Sequence, residues 1–330
     1  MKQTVSFKKN AVNLFFHILT SCNLSCRHCY INQNEHGSDT LEIDTINHWL
    51  DLFREKANEA NVIFLGGEPT MHPDLAVAVK KARDLKYKSI TIDTNGYLYH
   101  DILSKVTPDD VDFMSFSLDG ATEETNDALR GEGCYKKCIE GIKDSVKKGF
   151  NTSLIYTVSE SNMHELKDMP GLLKELGVKH FFIQVIGIRG NSSTNEDISQ
   201  VSKDNWEKLV PEVAKKVGES GISVTYPKVF LGPDETFECG GNVAENYFVF
   251  PNGRVYTCPL CEDYPLHAYT IEENKLIPTA KINEKDLFKL EIPEGCVINK
   301  LVQDGNIEYK EDGTPSYKIA CCLLKEEIIP

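Results

Sequence analysis

The sequence lacks three features, each of which would point to a particular partner or location. Positive charge is scarce: 36 lysines and arginines stand against 50 acidic residues, for a formal net charge of -14. This balance disfavours nucleic acid or an anionic membrane as the main partner, because both attract basic surfaces. No apolar run is long enough to span a bilayer, and no signal-peptide pattern follows Met1–Gln3. We therefore expect a cytoplasmic protein with no nucleic-acid or membrane partner.

Cysteine, by contrast, is abundant. The chain of 330 residues, 41% of them hydrophobic, is long enough to bury a core without covalent cross-links. A disulfide framework explains its 11 cysteines poorly, because such frameworks belong to small secreted domains, and metal binding explains them better. The cysteines fall into three sets, of which the first and third are spaced as ligand arrays: Cys22, Cys26 and Cys29; Cys134 and Cys138; and Cys239, Cys258, Cys261, Cys296, Cys321 and Cys322.

The first two thirds of the chain alternates short apolar runs with amphipathic stretches. The runs are predicted strands: Asn13–Thr20, Val62–Leu65, Ser89–Asp93, Phe113–Leu118, Ser153–Val158 and Phe181–Ile186. The stretches are predicted helices: Asp44–Glu59, Asp74–Leu85, Tyr99–Lys105, Tyr135–Lys148, Met163–Leu176 and Asn205–Ser220. Six strand–helix units in succession predict an α/β fold with a parallel sheet, either open or curled into a partial barrel.

The alternation stops near residue 226, so we expect two domains, 1–226 and 227–330. Leu231–Pro233 is predicted to be a linker, and Tyr247–Tyr256 a β-hairpin with its turn at an Asn-Gly pair. The tail Glu262–Pro330 is acidic and predicted to be irregular.

The first cysteine set, Cys22-Asn-Leu-Ser-Cys26-Arg-His-Cys29, follows the first predicted strand. Three thiolates at this spacing can wrap one corner of a cubane cluster, and thiolates suit iron–sulfur clusters and zinc alike. A structural zinc site needs a fourth ligand, and His28 is the obvious candidate, although its ring would be strained so close to Cys29. In a 4Fe-4S cluster, the three cysteines would instead leave one iron open to a substrate or cofactor.

The ends of the next predicted strands carry further motifs. They are Gly66-Gly67-Glu68-Pro69, Thr94-Asn95-Gly96 and Ser117-Leu118-Asp119-Gly120. Because chemistry collects at the C-terminal strand ends of parallel sheets, we expect these motifs to share one rim with the cysteine loop. Taken alone, each also fits an ordinary turn, and Asp119 is at least as well suited to cap a helix as to act in catalysis.

Together these motifs resemble those of radical S-adenosylmethionine (radical SAM) enzymes: Cys22-x3-Cys26-x2-Cys29 followed by the aromatic Tyr30, then the GGEP strand end. The resemblance covers about residues 13–220 and implies a partial (β/α)6 TIM-like barrel. It implies a 4Fe-4S cluster on the three cysteines, whose open iron binds S-adenosyl-L-methionine. It also implies reductive cleavage to a 5'-deoxyadenosyl radical that abstracts hydrogen from substrate, with an electron donor such as flavodoxin or ferredoxin.

The resemblance further implies a set of cofactor contacts. Gly66 and Gly67 would allow the backbone to approach the cofactor, and the Glu68 carboxylate would lie near its cationic groups. The other expected contacts are Arg130 and Ser117 to the cofactor's carboxylate, Asn95 to the ribose, and Tyr30 and Gln184, with Ile186, to the adenine.

The third cysteine set resembles the auxiliary-cluster regions called SPASM and twitch domains. Cys239 is followed by 13 residues, Gly253, four residues and Cys258, and the predicted hairpin would bring the two cysteines together. The rest of the SPASM pattern is missing. We therefore expect one auxiliary 4Fe-4S cluster in a small C-terminal iron–sulfur region, and the alternative is a structural zinc site. The expected ligands are Cys239, Cys258, Cys261 and either Cys321 or Cys322, with Cys296 as a possible replacement.

The remaining candidates have ordinary interpretations. Cys134 and Cys138 are predicted to be helix residues, and His28 to tune or shield the cluster. The acidic residues near the third set fit a solvated surface as well as an acid–base role: Glu235, Glu238, Glu262 and Asp263.

Three functions follow from these observations. The favoured one is a radical SAM oxidoreductase or peptide-modifying enzyme that acts on a ribosomal peptide or protein. The first alternative is radical oxidation or rearrangement of a small-molecule metabolite. The second, from another class, is a non-catalytic iron–sulfur or zinc-binding protein.

Overall fold

The computed structural model describes residues 6–98 and 101–330, except for the side chain of Asp304. Residues 1–5, where the sequence shows no signal-peptide pattern, lie outside these ranges. So do Tyr99 and His100, at the start of the predicted helix Tyr99–Lys105. No helix within the described ranges is both long and apolar enough to cross a membrane.

The described residues form 14 strands. These are β1 (Val12–His17), β2 (Ala60–Leu65), β3 (Ser89–Thr94), β4 (Phe113–Ser117), β5 (Thr152–Val158), β6 (His180–Val185), β7 (Ser223–Pro227), β8 (Phe230–Leu231), β9 (Glu245–Val249), β10 (Arg254–Tyr256), β11 (Tyr269–Glu272), β12 (Lys275–Pro278), β13 (Lys318–Ile319) and β14 (Lys325–Ile328). All but β8 and β13 belong to one sheet, in the order β12-β11-β10-β9-β1-β2-β3-β4-β5-β6-β7-β14.

The helices of the described ranges connect or flank these strands. They are α1 (Gln33–His36), α2 (Ile43–Leu52), α3 (Leu75–Asp84), α4 (Ile102–Lys105), α5 (Glu123–Arg130), α6 (Cys134–Lys147), α7 (Met169–Leu176), α8 (Lys203–Glu219), α9 (Gly240–Val243), α10 (Glu284–Leu287) and α11 (Val297–Val302).

The predicted α/β fold is confirmed. Strands β1 to β7 are parallel and follow one another in chain order, which is the arrangement of a partial TIM-like barrel. The run does not close on itself, because β9 pairs in parallel with the outer edge of β1 and β14 pairs antiparallel with β7. Both ends of the barrel are therefore completed by strands from the last third of the chain.

The last third contains more structure than its irregular sequence predicts. The predicted hairpin is present as β9 and β10, which pair at Val249 and Val255. Leu231, assigned to a linker, lies in β8, and the tail predicted to be irregular carries four strands and two helices. These elements are short and gain their regularity by pairing with an existing sheet edge, so they leave little periodicity in the sequence. The boundary near residue 226 stays a prediction, since one sheet runs across it.

Successive side chains of β1 point alternately into the hydrophobic core and into a cavity inside the fold. Phe16 is fully buried against Trp49 and Phe64, with ring centroids 6.1 and 6.2 Å apart. Burial of one such ring stabilises the fold by about 1.5–3 kcal/mol. Phe15 and His17, its neighbours along the strand, instead line a cavity on the other side of the sheet. The helices thus cover one face of the sheet, and the opposite face surrounds the cavity.

Candidate active site

One cavity of about 310 Å³ gathers the residues from the strand ends. Every expected cofactor contact lines it, as do the three cysteines of the loop: Tyr30, Gly66, Gly67, Glu68, Asn95, Ser117, Arg130 and Gln184, with Cys22, Cys26 and Cys29. They come from the segments that follow β1 and β2 and from the ends of β3, β4 and β6, together with the last residue of α5. The expected common rim is present, while the role of each residue stays a prediction.

Close backbone packing, in addition to cofactor access, explains why the GGEP segment has glycine at both of these positions. A Cβ on Gly66 would lie 2.3 Å from the Leu19 carbonyl oxygen, and one on Gly67 would lie 2.1 Å from that of Ser21. The same backbones are hydrogen bonded: Gly67 N donates to Leu19 O and Glu68 N to Ser21 O, each at 3.0 Å. Two side-chain-free residues therefore allow β2 to hold the start of the cysteine loop in place.

The loop cysteines can accommodate a bound cluster. All three are free thiols; Cys22 is exposed, and Cys26 and Cys29 are half-buried. Burial raises the pKa of each thiol, to about 11 for Cys22, and coordination to a metal would remove these protons. Two buried nitrogens of the same loop, Asn23 Nδ2 and His28 Nδ1, have no hydrogen-bond partner among the described residues. Unpaired buried polar atoms beside three free thiols fit a site built for an additional group.

A cubane cluster and a single zinc ion require different arrangements of donor atoms. Across residues 6–98 and 101–330, no three cysteine, histidine or acidic side chains converge closely enough to hold one metal ion. A cubane cluster does not require such convergence, because each thiolate binds a different iron. His28, the candidate fourth zinc ligand, directs its Nε2 to the Asp119 carboxylate at 2.9 Å.

Asp119 organises this side of the cavity. Its Oδ2 accepts a hydrogen bond from Arg130 Nε at 2.7 Å and also forms ion pairs with Arg130 Nη2 and His28 Nε2. Its Oδ1 accepts a hydrogen bond from Thr157 N at 2.7 Å. Burial alone would raise the pKa of Asp119, but Arg130 and His28 hold it well below its usual range. The expectation that Asp119 caps a helix is wrong, because the side chain that caps α5 is Thr122. Asp119 instead fixes the orientation of Arg130.

Glu68 joins two strand ends. Its Oε1 accepts from Thr70 N at 3.1 Å, Thr70 Oγ1 at 2.6 Å and Thr94 Oγ1 at 2.8 Å. Its Oε2 accepts from Asn95 N at 2.7 Å, and desolvation raises the pKa of the buried carboxyl group despite these donors. Glu68 thus has a structural role that the sequence did not predict, and Oε2 retains a lone pair for a ligand.

Asn95 connects the end of β3 to the cysteine loop. Its Nδ2 donates to Asn23 Oδ1 at 2.9 Å and lies 3.7 Å from Cys22 Sγ. Its Oδ1 accepts from Tyr97 N at 2.9 Å, which closes a local turn. The observed contacts therefore hold the loop, and a contact to the ribose stays a prediction.

Arg189 is a functional candidate that the sequence did not reveal. Its guanidinium lies 4.6 Å from the centre of the Tyr30 ring, pairs with Glu262 and donates to Pro259 O. Tyr30 also contacts His17, with 2.8 Å between the hydroxyl and Nε2. The only sequence feature that could have identified Arg189 is its place shortly after β6, at the expected rim.

Glu262 is not part of a solvated acidic surface. It is fully buried, and burial raises its pKa to about 8 although Arg189 opposes the shift. Of the other acidic candidates, Glu235 is exposed and paired with Lys228, as the surface interpretation expects.

The cysteines of the third set lie together beneath the main cavity wall. A small cavity of about 20 Å³ is lined by Cys239, Cys258, Cys296, Cys321 and Cys322. The Cys239 and Cys321 thiols contact each other, as do those of Cys258 and Cys261. Cys322 also lines the main cavity, as do Leu260 and Leu323, so these three residues lie between the two spaces.

The segment after β6 links the two cysteine regions. Asn191 N donates to Cys29 O at 2.8 Å, and Asn191 Nδ2 donates to Cys26 O at 2.9 Å. Two residues earlier, Arg189 binds Pro259 and Glu262, which flank Cys261. Arg189 and Asn191 together therefore hold the loop against the C-terminal region.

The second set, Cys134 and Cys138, does not join either group. Both are buried in the first turns of α6, where their thiols donate to Arg130 O at 3.4 Å and Ser117 O at 3.6 Å. These contacts belong to helix packing, in agreement with the interpretation of their spacing.

Known proteins share this sequence pattern and fold. Residues 17–173 match the model of the Radical SAM superfamily. The chain is 28% identical over 206 residues to Fe-coproporphyrin III synthase of Methanosarcina barkeri, which covers 61% of this chain and 51% of that protein. It is 27% identical over 259 residues to PqqA peptide cyclase of Gluconobacter oxydans, covering 77% and 72%, respectively.

A solved structure extends the likeness to the whole fold. The crystal structure of Streptococcus suis SuiB bound to precursor peptide SuiA matches with a TM-score of 0.63 at 14% identity, over 96% of this chain and 70% of that chain. The chain spans about half the length of the first relatives that it matches, such as Fe-coproporphyrin III synthase. The match of residues 17–173 to the Radical SAM superfamily model confirms the resemblance seen in the sequence, and the likeness to SuiB shows the shared fold.

Proposed function

We propose that this chain is a radical SAM enzyme whose reaction starts at the cysteine loop. The observation that carries the proposal is the convergence of three free thiols and the expected cofactor contacts on one cavity. When bound, the cluster supplies one electron, and S-adenosylmethionine supplies the 5'-deoxyadenosyl radical that abstracts hydrogen from the substrate. The electron donor would be a small redox protein such as flavodoxin or ferredoxin.

The cavity residues have separate tasks in this proposal. The thiolates of Cys22, Cys26 and Cys29 bind the cluster. Arg130, oriented by Asp119, offers its guanidinium to the cofactor's carboxylate, and Glu68 Oε2 accepts from a cationic group. Each of these side chains is held by neighbours, so the cofactor would meet a preorganised site.

Apolar side chains keep water from the reacting atoms. Phe15 and Phe248 stack with their ring centroids 4.4 Å apart, and both line the cavity with Leu65 and Leu260. A dry wall is needed because a carbon radical must be protected from side reactions.

The C-terminal cysteines would hold one auxiliary 4Fe-4S cluster. Cys239, Cys258 and Cys261 remain the proposed ligands, and the contact between Cys239 and Cys321 favours Cys321 as the fourth. Cys296 and Cys322 line the same small cavity and are the alternatives. A cluster here could exchange an electron with the substrate across Cys322, which zinc could not do.

A ribosomal peptide or protein is the favoured substrate. PqqA peptide cyclase, whose name refers to a peptide, matches 77% of this chain. A small metabolite is the second candidate. It is favoured by the name of Fe-coproporphyrin III synthase and by four amide side chains that line the cavity: Gln184, Gln200, Asn299 and Gln303.

The test of the proposal is cofactor cleavage. The wild-type chain, reconstituted with iron and sulfide without oxygen and then reduced, should convert S-adenosylmethionine to 5'-deoxyadenosine. The variant Cys22→Ala/Cys26→Ala/Cys29→Ala should not, whereas Cys134→Ala should retain the activity because Cys134 lines neither cavity. Absence of cleavage by the wild type would favour the non-catalytic metal-binding alternative and overturn the proposal.

A further inference from the structure

Lys325 brings a positive charge into the main cavity from the last strand. β14 pairs antiparallel with β7, opposite Pro227, and Lys325 is the first residue of β14. The side chain is partly buried and lines the cavity together with Cys322 and Leu323. The C-terminal segment therefore separates the auxiliary cysteines from the substrate space and also contributes a charge to that space.

This charge lacks an acidic partner among the described side chains. The other two cations of the cavity wall are paired, Arg130 with Asp119 and Arg189 with Glu262. The Nζ of Lys325 lies 4.1 Å from the centre of the Phe7 ring, a cation–π contact that holds the ammonium but does not neutralise it.

The nearby acidic groups have other partners. Glu327, two residues along the same strand, pairs with Lys8 at 3.0 Å. In the cavity, Glu68 accepts from four donors, and Asp93 accepts a hydrogen bond from Ser115. The remaining titratable group that acts on Lys325 is the Cys322 thiol, so no carboxylate of the described residues neutralises the ammonium, which favours binding of an anion from outside.

The surroundings indicate which anion. Lys325 is accompanied by the apolar side chains of Phe7, Phe15, Pro227 and Phe248, all of which line the cavity. A phosphate would call for several donors, such as a guanidinium fork or a helix N-terminus, whereas one ammonium matches the single charge of a carboxylate. The apolar wall would pack against the hydrocarbon part of the same ligand.

We propose that Lys325 is a substrate-anchoring residue that binds a carboxylate whose attached apolar group packs against Phe7, Phe15 and Phe248. This inference rests on the proposed function, since it concerns the molecule that meets the radical. It names carboxylate chemistry in the substrate, either in a small acid or in a peptide side chain or C-terminus.

The test measures binding and does not depend on cofactor cleavage, so its failure is distinguishable from failure of the proposed function. The probes are 3-phenylpropionate with its amide, and acetyl-Ala-Phe with a free or an amidated C-terminus. Binding to the reconstituted chain is measured by calorimetry under anaerobic conditions. Each acid should bind about tenfold or more tightly than its amide, because a charge-assisted hydrogen bond contributes that much.

Variants of Lys325 distinguish the contribution of its charge to binding from that of packing. Lys325→Gln should remove the preference for acid over amide, and Lys325→Arg should restore most of it. Lys275→Gln, at an exposed lysine of β12, should bind as the wild type does. A preference shared by both acids identifies the carboxylate alone as the ligand, and a preference limited to the peptide or to the small acid identifies the source. Equal binding of acids and amides, no acid binding at all, or an unchanged preference in Lys325→Gln would overturn the proposal.

Discussion

The two cysteine regions differ in exposure and in what surrounds them. The loop cysteines stand at the mouth of a cavity of about 310 Å³, whereas the C-terminal cysteines surround a space of about 20 Å³. Cys22 is exposed, while Cys258, Cys261, Cys296 and Cys321 are buried. The loop would therefore leave room for a ligand beside a bound cluster, whereas the C-terminal group is enclosed by protein. This difference is the one expected between a reacting cluster and a structural or electron-transfer cluster.

The largest expected effect is on the iron content of the chain, which shows how much iron each cysteine region binds. Replacing Cys22, Cys26 and Cys29 by alanine should remove the loop cluster and leave about four irons per chain at the auxiliary site. Iron and sulfide analysis of the reconstituted protein measures this content directly. The Cys134→Ala variant serves as the control and should keep the full content. Loss of all iron from the triple variant would show that the C-terminal group binds no cluster.

The second expected effect concerns folding. Cys239→Ala should remove the auxiliary cluster and lower the free energy of unfolding by several kcal/mol, because metal bound only by the native state stabilises it. Denaturant unfolding under anaerobic conditions measures the change, with Cys138→Ala as the control at a cysteine outside both regions. If Cys239→Ala keeps its iron and its stability, Cys239 is not a ligand.

The third expected effect concerns the link between the regions. At a pH above about 8, where the Glu262 carboxyl group is ionised, Arg189→Gln leaves that buried charge without its ion-pair partner, which should cost about 3 kcal/mol of unfolding free energy. Arg189→Gln/Glu262→Gln should recover part of that loss, since the uncompensated charge is gone. Equal stability of the single and double variants would mean that the pair does not couple the two regions.

The smallest expected effect is on cofactor affinity. Glu68→Ala should weaken binding of S-adenosylmethionine about tenfold, through loss of a charged acceptor and of the hydrogen bonds that hold Thr94 and Asn95. Equilibrium dialysis with the reconstituted chain measures the affinity, and Glu235→Ala, at an exposed carboxylate, is the control. Unchanged affinity in Glu68→Ala would remove the contact proposed for this carboxylate.

The barrel and the rim were predictable from the sequence for physical reasons. Buried parallel strands such as Val62–Leu65 leave continuous apolar runs, and their C-terminal ends meet at one edge. The residues after those runs therefore had to lie together, and Gly66 to Glu68 do lie beside Asn95 and the loop.

The parts that the sequence did not predict depend on distant partners. The pairing of Arg189 with Glu262 joins positions 73 residues apart, and neither residue stands in a recognisable motif. Asp119 has the residue type and position of a helix cap, and its partners His28 and Arg130 become visible only in the folded chain. The short strands of the tail, such as β14, form because β7 offers an edge, and their own sequence carries little β pattern.

The central claim is that the loop cluster has an open iron that binds S-adenosylmethionine. Electron paramagnetic resonance of the reduced, reconstituted chain tests it directly, because a ligand on one iron changes the spectrum of that cluster. Addition of S-adenosylmethionine should change the spectrum of the wild type and leave that of Cys22→Ala/Cys26→Ala/Cys29→Ala unchanged. A wild-type spectrum that does not respond to the cofactor would contradict the account.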